Sequence, residues 1–173
     1  MSTFLDALVQ RFEGLEAHLN TLDAAIGDGD HGATILKGLR AAAADGDNPE
    51  KAFRRAAGGA SGSLFGVLLG ALHGAKMGAP LDAALDQAAA KIAQMGLAKA
   101  GDKTMLDALI PASQETTPEG AAIAAAKGRD ATRDMAAKRG RAKHVEGAGV
   151  GHVDAGATSV AELLQAYAET EAS

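Results

Sequence analysis

An all-α fold is what this sequence predicts, and two observations carry that expectation. Alanine makes up nearly a quarter of the 173 residues while valine and isoleucine are few. Alanine is the strongest helix former, whereas β-branched residues favour strands. Apolar residues also recur at helical spacing near both ends of the chain, and no stretch shows the alternation of a half-buried strand.

Phe4, Leu5, Leu8, Val9, Phe12, Leu15, Leu19 and Leu22 share one face of a first helix. Further helices are expected at 31–44, 49–57, 61–76, 80–95, 103–114 and 118–138, and Ala157, Val160, Leu163, Leu164 and Tyr167 mark the last, about eight in all. Asn48-Pro49-Glu50 and Thr117-Pro118-Glu119 each set a capping side chain before a proline at the first helical position. Proline's missing N–H costs nothing there, and the acid that follows favours the positive end of the helix. The helix from residue 61 is apolar nearly all round, as in the middle of a bundle, and Gly62, Gly66 and Gly70 would let neighbours approach closely.

The length suits one domain around one core. A net charge of -5 and only five Phe and Tyr residues, with no Trp, argue against a nucleic-acid surface. No cysteine is present, which removes disulfides, thiolate metal sites and thiol nucleophiles together. The longest apolar run, Leu64 to Leu72, is too short for a membrane span. Met1 to Asp6 has neither the basic nor the apolar region of a signal peptide, so a cytoplasmic location is expected. An anionic ligand would then need cations other than a broad basic surface, which points to metal ions.

The segment Leu22-Asp23-Ala24-Ala25-Ile26-Gly27-Asp28-Gly29-Asp30-His31-Gly32 puts three carboxylates within eight residues at a join between two helices. Its glycines allow a tight fold that aims the carboxylates together. Such hard oxygen donors suit Mg²⁺, which binds through a few carboxylates plus phosphates and waters. An ordinary Asp-Gly surface turn is the plain alternative. An EF-hand fails on spacing: with Asp28 at position 1, the glycine position holds Ala33 and position 12 holds Leu39. Asp45-Gly46-Asp47-Asn48 fails likewise, with Ala56 at position 12, and reads as a plain turn.

Gly58-Gly59-Ala60-Ser61-Gly62-Ser63 runs straight into the apolar helix, where free N–H groups make a phosphate cradle. Helix capping by Ser61 or Ser63 is the simpler alternative. Gly96 to Thr104 looks like a Walker A loop with one residue inserted, but no strand precedes it, so a P-loop fold is rejected. Met105 could offer an apolar surface to a base. Arg139-Gly140-Arg141-Ala142-Lys143-His144 supplies cations for a transferring phosphoryl group, or merely solvated surface. Asp154 or Thr158 could cap the last helix. His18 and His73 belong to helices and need no role, while His31 and His152 sit in the unusual loops.

Four pieces in this order, spanning residues 22 to 159, resemble the ADP-binding L subunit of bacterial phosphoenolpyruvate-dependent dihydroxyacetone kinase and the matching domain of single-chain dihydroxyacetone kinases. They are Leu22-Asp23 with Ile26 to Gly32; Gly58 to Gly62 with Leu64-Phe65-Gly66; Gly101-Asp102-Lys103-Thr104-Met105; and Gly140-Arg141-Ala142 with Gly151-His152, Asp154 and Gly156 to Ser159. Each is modest alone, and four in sequence are highly specific. The resemblance implies an eight-helix antiparallel barrel with a nucleotide on the loops at one end. It implies two Mg²⁺ ions on Asp23, Asp28 and Asp30, bridging the diphosphate of ADP or ATP. Nucleotide contacts carry over to His31, Gly32, Ala33, Thr34, Ala60, Ser61, Gly96, Met105, Arg141, Asp154 and Gly156, with Arg141 the catalytic candidate. The family often has asparagine where Thr34 stands. Its typical members are longer at the N-terminus and around residues 44 to 52 and 113 to 118.

The implied mechanism is a relay. A phosphohistidine-carrying subunit phosphorylates bound ADP, and the ATP formed phosphorylates dihydroxyacetone held on a K subunit. No nucleophile or general base is demanded of this chain, and a homodimer is compatible with the resemblance. Two other readings stand beside it: the nucleotide half of an ATP-using kinase for a related triose or ketose, and a metal-binding helical bundle without catalysis.

Overall fold

The structure, a computed structural model, describes residues 3–173. Among the described residues there are eight α-helices and no strand: α1 Phe4–Ala24, α2 His31–Asp45, α3 Pro49–Ala57, α4 Gly59–Lys76, α5 Leu81–Gly96, α6 Leu106–Ala112, α7 Pro118–Ala131 and α8 Ala155–Glu171. Each helix packs on the next, and α8 returns to pack on α1, so the bundle closes into a barrel. α4, apolar nearly all round as expected, contributes Phe65, Val67, Leu68, Leu69 and Leu72 to the core. Phe12 and Leu19 of α1, Ile35 and Leu39 of α2, Leu85 and Ile92 of α5 and Leu163 and Leu164 of α8 meet them there.

Small residues set how closely the helices approach. A Cβ on Gly66 would lie 2.3 Å from the Arg54 side chain, and one on Gly70 would lie 2.6 Å from the Glu50 carboxylate. The glycine stripe of α4 is thus a bed for α3. Gly38 does the same for the Phe53 ring, and Gly128 lets α7 lie on the backbone of α6. The seam between α1 and α8 carries Arg11, which pairs with Glu162 at 2.8 Å and Glu169 at 2.9 Å. Phe4 meets Tyr167 edge to face at 5.6 Å, and the Lys76 ammonium reaches across from α4 over both rings.

Both proline-led starts form as expected: Asn48 accepts from the Lys51 N–H, and Thr117 accepts from the Gly120 N–H. Two helices are shorter than the sequence predicts. α7 stops at Ala131 and not near residue 138, and a 3-10 turn at Thr132–Asp134 follows it. Met135 to Lys138 is helix-like in composition, but long-range bonds claim it: the Ala137 N–H donates to Ala148 and the Lys138 N–H to Asp102. α6 starts at Leu106 and not at 103, because residues 101–105 form a turn closed by the Asp107 carboxylate.

Candidate functional site

In a barrel of antiparallel helices, alternate connections come to the same end. The joins 25–30, 58, 97–105 and 132–154 therefore share one end, and all four line a single cleft of about 530 Å³, within the usual size range of a small-molecule site.

The first join brings Asp23, Asp28 and Asp30 together, with one carboxylate oxygen from each within 4.8 Å of the others. The chain manages this by a short set of local devices. Ile26 turns into the core and pins the loop, and the Ile26 N–H bonds back to the Asp23 carbonyl. Gly29 takes φ +78, and a Cβ on Gly27 would lie 2.6 Å from the Asp23 carboxylate. Asp23 then caps α2 across the loop, accepting from the N–H groups of Asp30 and His31 at 3.0 and 3.1 Å. Arg141, arriving from the 132–154 segment, forms an ion pair with Asp28.

The charges in this cluster respond to one another. The Arg141 hydrogen bond holds the Asp28 carboxyl below its ordinary range. Partial desolvation and then the neighbouring Asp28 charge push Asp30 up. The donor set is all oxygen, with no thiolate or imidazole among the three. An octahedral Mg²⁺ with bonds of about 2.1 Å spans about 4 Å between opposite ligands, so these carboxylates need close by only a small inward turn. The residues fit magnesium.

Beside this cluster α4 begins. Gly58 ends α3 with φ +67, and no side chain caps the start of α4, so the capping alternative for Ser61 and Ser63 does not hold. Gly59, Ala60 and Ser61 line the cleft at a helix start whose first amides have no intrahelical partner. Leu64, Phe65, Ile92, Met105 and Leu106 form an apolar wall behind them.

The remaining walls depend on buried polar groups. Asp107 is 7% exposed and accepts from the N–H groups of Gly101 and Thr104 at 2.6 and 2.8 Å. Asp102 is buried. Burial would raise its carboxyl, but the Lys99 N–H and the Arg139 guanidinium outweigh that and hold it below the ordinary range. Asp154 caps α8 through the Ala157 N–H at 2.7 Å, and burial pushes its carboxyl up to about 6. Gly156 lies close against that carboxylate and Met105, since a Cβ there would sit 3.0 Å from the Asp154 oxygen and 3.5 Å from Met105. His31 is buried against Phe65, its Nε2 2.8 Å from the Ser159 hydroxyl, and burial lowers its pKa so that the ring favours the neutral form.

Of the residues singled out from the sequence, Asp23, Asp28, Asp30, His31, Thr34, Ala60, Ser61, Gly96, Met105, Arg141, Asp154 and Gly156 all line the cleft. Gly32 and Ala33 do not. Gly32 is a packing glycine: a Cβ there would lie 2.3 Å from the Glu16 carbonyl oxygen of α1. Ala33 is exposed, and its N–H donates to Asn20. His152 is exposed and contributes its backbone carbonyl, not its ring, to the segment's anchoring. Sequence reasoning assigns no role to Lys103 or Asp107. For Asp107 a signal exists, since Thr104 and Asp107 have the Thr-x-x-Asp spacing of a helix start.

Comparison with known proteins gives a consistent answer. A family model described as the DAK2 domain matches residues 25–169. The ADP-binding subunit DhaL of PEP-dependent dihydroxyacetone kinase 1 from Listeria innocua is 31% identical, over 98% of this chain and 95% of its own. D-erythrulose kinase from Mycolicibacterium smegmatis is 34% identical over 95% of this chain, which spans 34% of that enzyme. Among solved structures, the dihydroxyacetone kinase of C. freundii in complex with AMP-PNP and Mg²⁺ superposes with a TM-score of 0.72 at 28% identity, over 96% of this chain and 33% of that one. The chain therefore spans about a third of several relatives and nearly the whole of one. The all-helical fold expected from the sequence, and the barrel that the resemblance implies, match the C. freundii kinase structure.

Proposed function

This chain belongs to the DAK2 domain family, and on that premise we propose that it binds ADP or ATP with two Mg²⁺ ions and serves phosphoryl transfer to dihydroxyacetone. The observation that carries the reading is the gathering of Asp23, Asp28 and Asp30 at the mouth of a cleft that also exposes the uncapped start of α4. The carboxylates would hold the metal, and the Gly59 to Ser61 backbone would receive phosphate oxygens. The apolar wall from Leu64 to Leu106 would take the base. When bound, magnesium offsets phosphate charge and supplies electrophilic polarisation of the transferring group. Arg141, beside Asp28, is the cation of this chain best placed to stabilise charge that develops on that group. Asp154 and Gly156 hold the start of α8 against Met105 at the edge of the cleft, and His31 fixes the α2 start through Ser159.

The name of the Listeria relative, an ADP-binding subunit of a PEP-dependent dihydroxyacetone kinase, supports the relay form. In that form a phosphohistidine-carrying donor subunit would phosphorylate the bound ADP, and a K subunit would hold dihydroxyacetone. The names of other relatives favour a second form. Erythrulose kinases and the triokinases match over about a third of their length, so this chain would serve as the nucleotide half of an ATP-using kinase for a related triose or ketose. Both forms use the same cleft.

Calorimetric titration with ADP tests the shared claim. Binding should require magnesium, and purified protein should carry nucleotide through gel filtration in the relay form but release it in the exchanging form. Metal binding indifferent to ADP would instead favour a helical metal-binding bundle without catalysis.

A further inference from the structure

Lys103 is 2% exposed and sits in left-handed backbone at φ +60, a conformation lysine rarely adopts. Its ammonium donates to three backbone carbonyls: Met135 at 3.1 Å, Gly149 at 2.6 Å and His152 at 2.6 Å. An ammonium has three protons, so its donor capacity is filled by these acceptors. All three belong to the 132–154 segment, the one that carries Arg141 to Asp28 and ends at Asp154. The turn that holds Lys103 ties the same segment at further points. The Asp102 carbonyl accepts from the Lys138 N–H at 3.1 Å, and the Asp102 carboxylate accepts from Arg139 at 3.4 Å. Gly149 is wedged between the Lys103 side chain and Ile26, since a Cβ there would lie 3.0 Å from Ile26 and 3.4 Å from Lys103. Ile26 in turn sits between Asp23 and Asp28. Lys103 thus lies beneath the arginine segment, with Gly149 between it and Ile26 of the aspartate loop.

We infer that Lys103 is a positioning residue for the nucleotide site, fixing the 132–154 segment so that Arg141 faces the aspartate cluster. The inference rests on the nucleotide reading above for its consequence, though not for its geometry. An apolar side chain could fill the same volume but would leave three inward-facing carbonyls without a donor. A residue needed only for packing would not be a lysine in left-handed backbone. Lys103 lines the same cleft, but its ammonium protons are taken up by the three carbonyls and not turned to a ligand, so it acts through the segment that carries Arg141.

The test compares Lys103→Met, Arg141→Ala and the double variant by ADP titration in magnesium and by amide hydrogen exchange. In Lys103→Met the amides of Ala137, Lys138 and Ala148 should exchange about tenfold faster or more while those of α1 to α5 keep their rates. ADP affinity should fall about tenfold, and the double variant should bind no more weakly than Arg141→Ala alone. Additive losses in the double variant, or exchange raised equally in every helix, would overturn the proposal. Should Lys103→Met not fold, amine labelling of the unmodified protein decides: Lys103 should react at the opening rate of the Ala137 and Ala148 amides, far slower than Lys143. Reaction of Lys103 at the Lys143 rate would overturn the proposal as well. If the unmodified protein fails to bind ADP, the nucleotide reading falls, while the exchange and labelling results still decide the role of Lys103.

Discussion

At the end of the barrel away from the cleft, the joins 46–48, 77–80 and 113–117 turn on devices that lie within a few residues of one another. Asn48 and Thr117 cap the helices they precede, and Pro49 and Pro118 follow at once. Only Gly46 and Gly78 need positive φ there. At the cleft end the joins are held by bonds that span the sequence: Arg141 to Asp28, His31 to Ser159, and Lys103 to Met135, Gly149 and His152. All three non-glycine residues with positive φ, Leu97, Lys103 and Ala148, lie at this end among the described residues. One end is built for stability from local sequence. The other accepts strained backbone, buried charge and crowded carboxylates, and long-range contacts must join the local bonds to hold that arrangement in place.

Substitutions can break that contrast or sharpen it. The largest effect is expected from Asp28→Ala, which removes one carboxylate and the partner of Arg141. ADP affinity in magnesium should drop about a hundredfold or more, with far-ultraviolet circular dichroism nearly unchanged because Asp28 lies outside every helix. Next comes Gly32→Ala, whose Cβ would press on the Glu16 carbonyl oxygen. Urea unfolding should show a loss of about 1–3 kcal/mol, and a variant as stable as the parent would contradict the packing role assigned to Gly32.

Asp154 offers a pH signature at the cleft end. Its folded-state pKa of about 6 lies above the ordinary 3.8, so the folded protein binds the extra proton. This group's contribution therefore favours folding below about pH 4 and is lost as pH rises through 6, a change of about 1–3 kcal/mol. Urea melts should show that Asp154→Asn loses this contribution: its stability at pH 4.5 relative to pH 7 should be lower than the parent's by about 1–3 kcal/mol. The smallest effect belongs to the far end. Thr117→Ala should cost about 1 kcal/mol of stability through the lost cap and leave ADP titration unchanged. A weakened ADP affinity in that variant would mean the two ends are coupled.

The same contrast governs how much of the molecule is legible in its sequence. The far-end caps at Asn48 and Thr117 are legible because cap, proline and acid are neighbours along the chain. The aspartate cluster is legible too, as its three carboxylates and their glycines fall within one loop. The end of α7 is not: Met135-Ala136-Ala137-Lys138 has helical composition, and only its bonds to Ala148, Asp102 and Lys103 draw it away. Lys103 itself is hidden for the same reason, since its partners lie 32 to 49 residues later. The packing role of Gly32 is hidden because a glycine beside a candidate binding loop and a glycine under a helix contact look alike in sequence.

The central claim is that the carboxylates of Asp23, Asp28 and Asp30 gather divalent cations that anchor a diphosphate. Its most direct test is anomalous diffraction from crystals grown with ADP and Mn²⁺ in place of Mg²⁺. The account expects manganese peaks between those three carboxylates and the diphosphate, with Arg141 within reach of the phosphate end. Nucleotide bound elsewhere, or manganese absent from the three aspartates while ADP occupies the cleft, would contradict it.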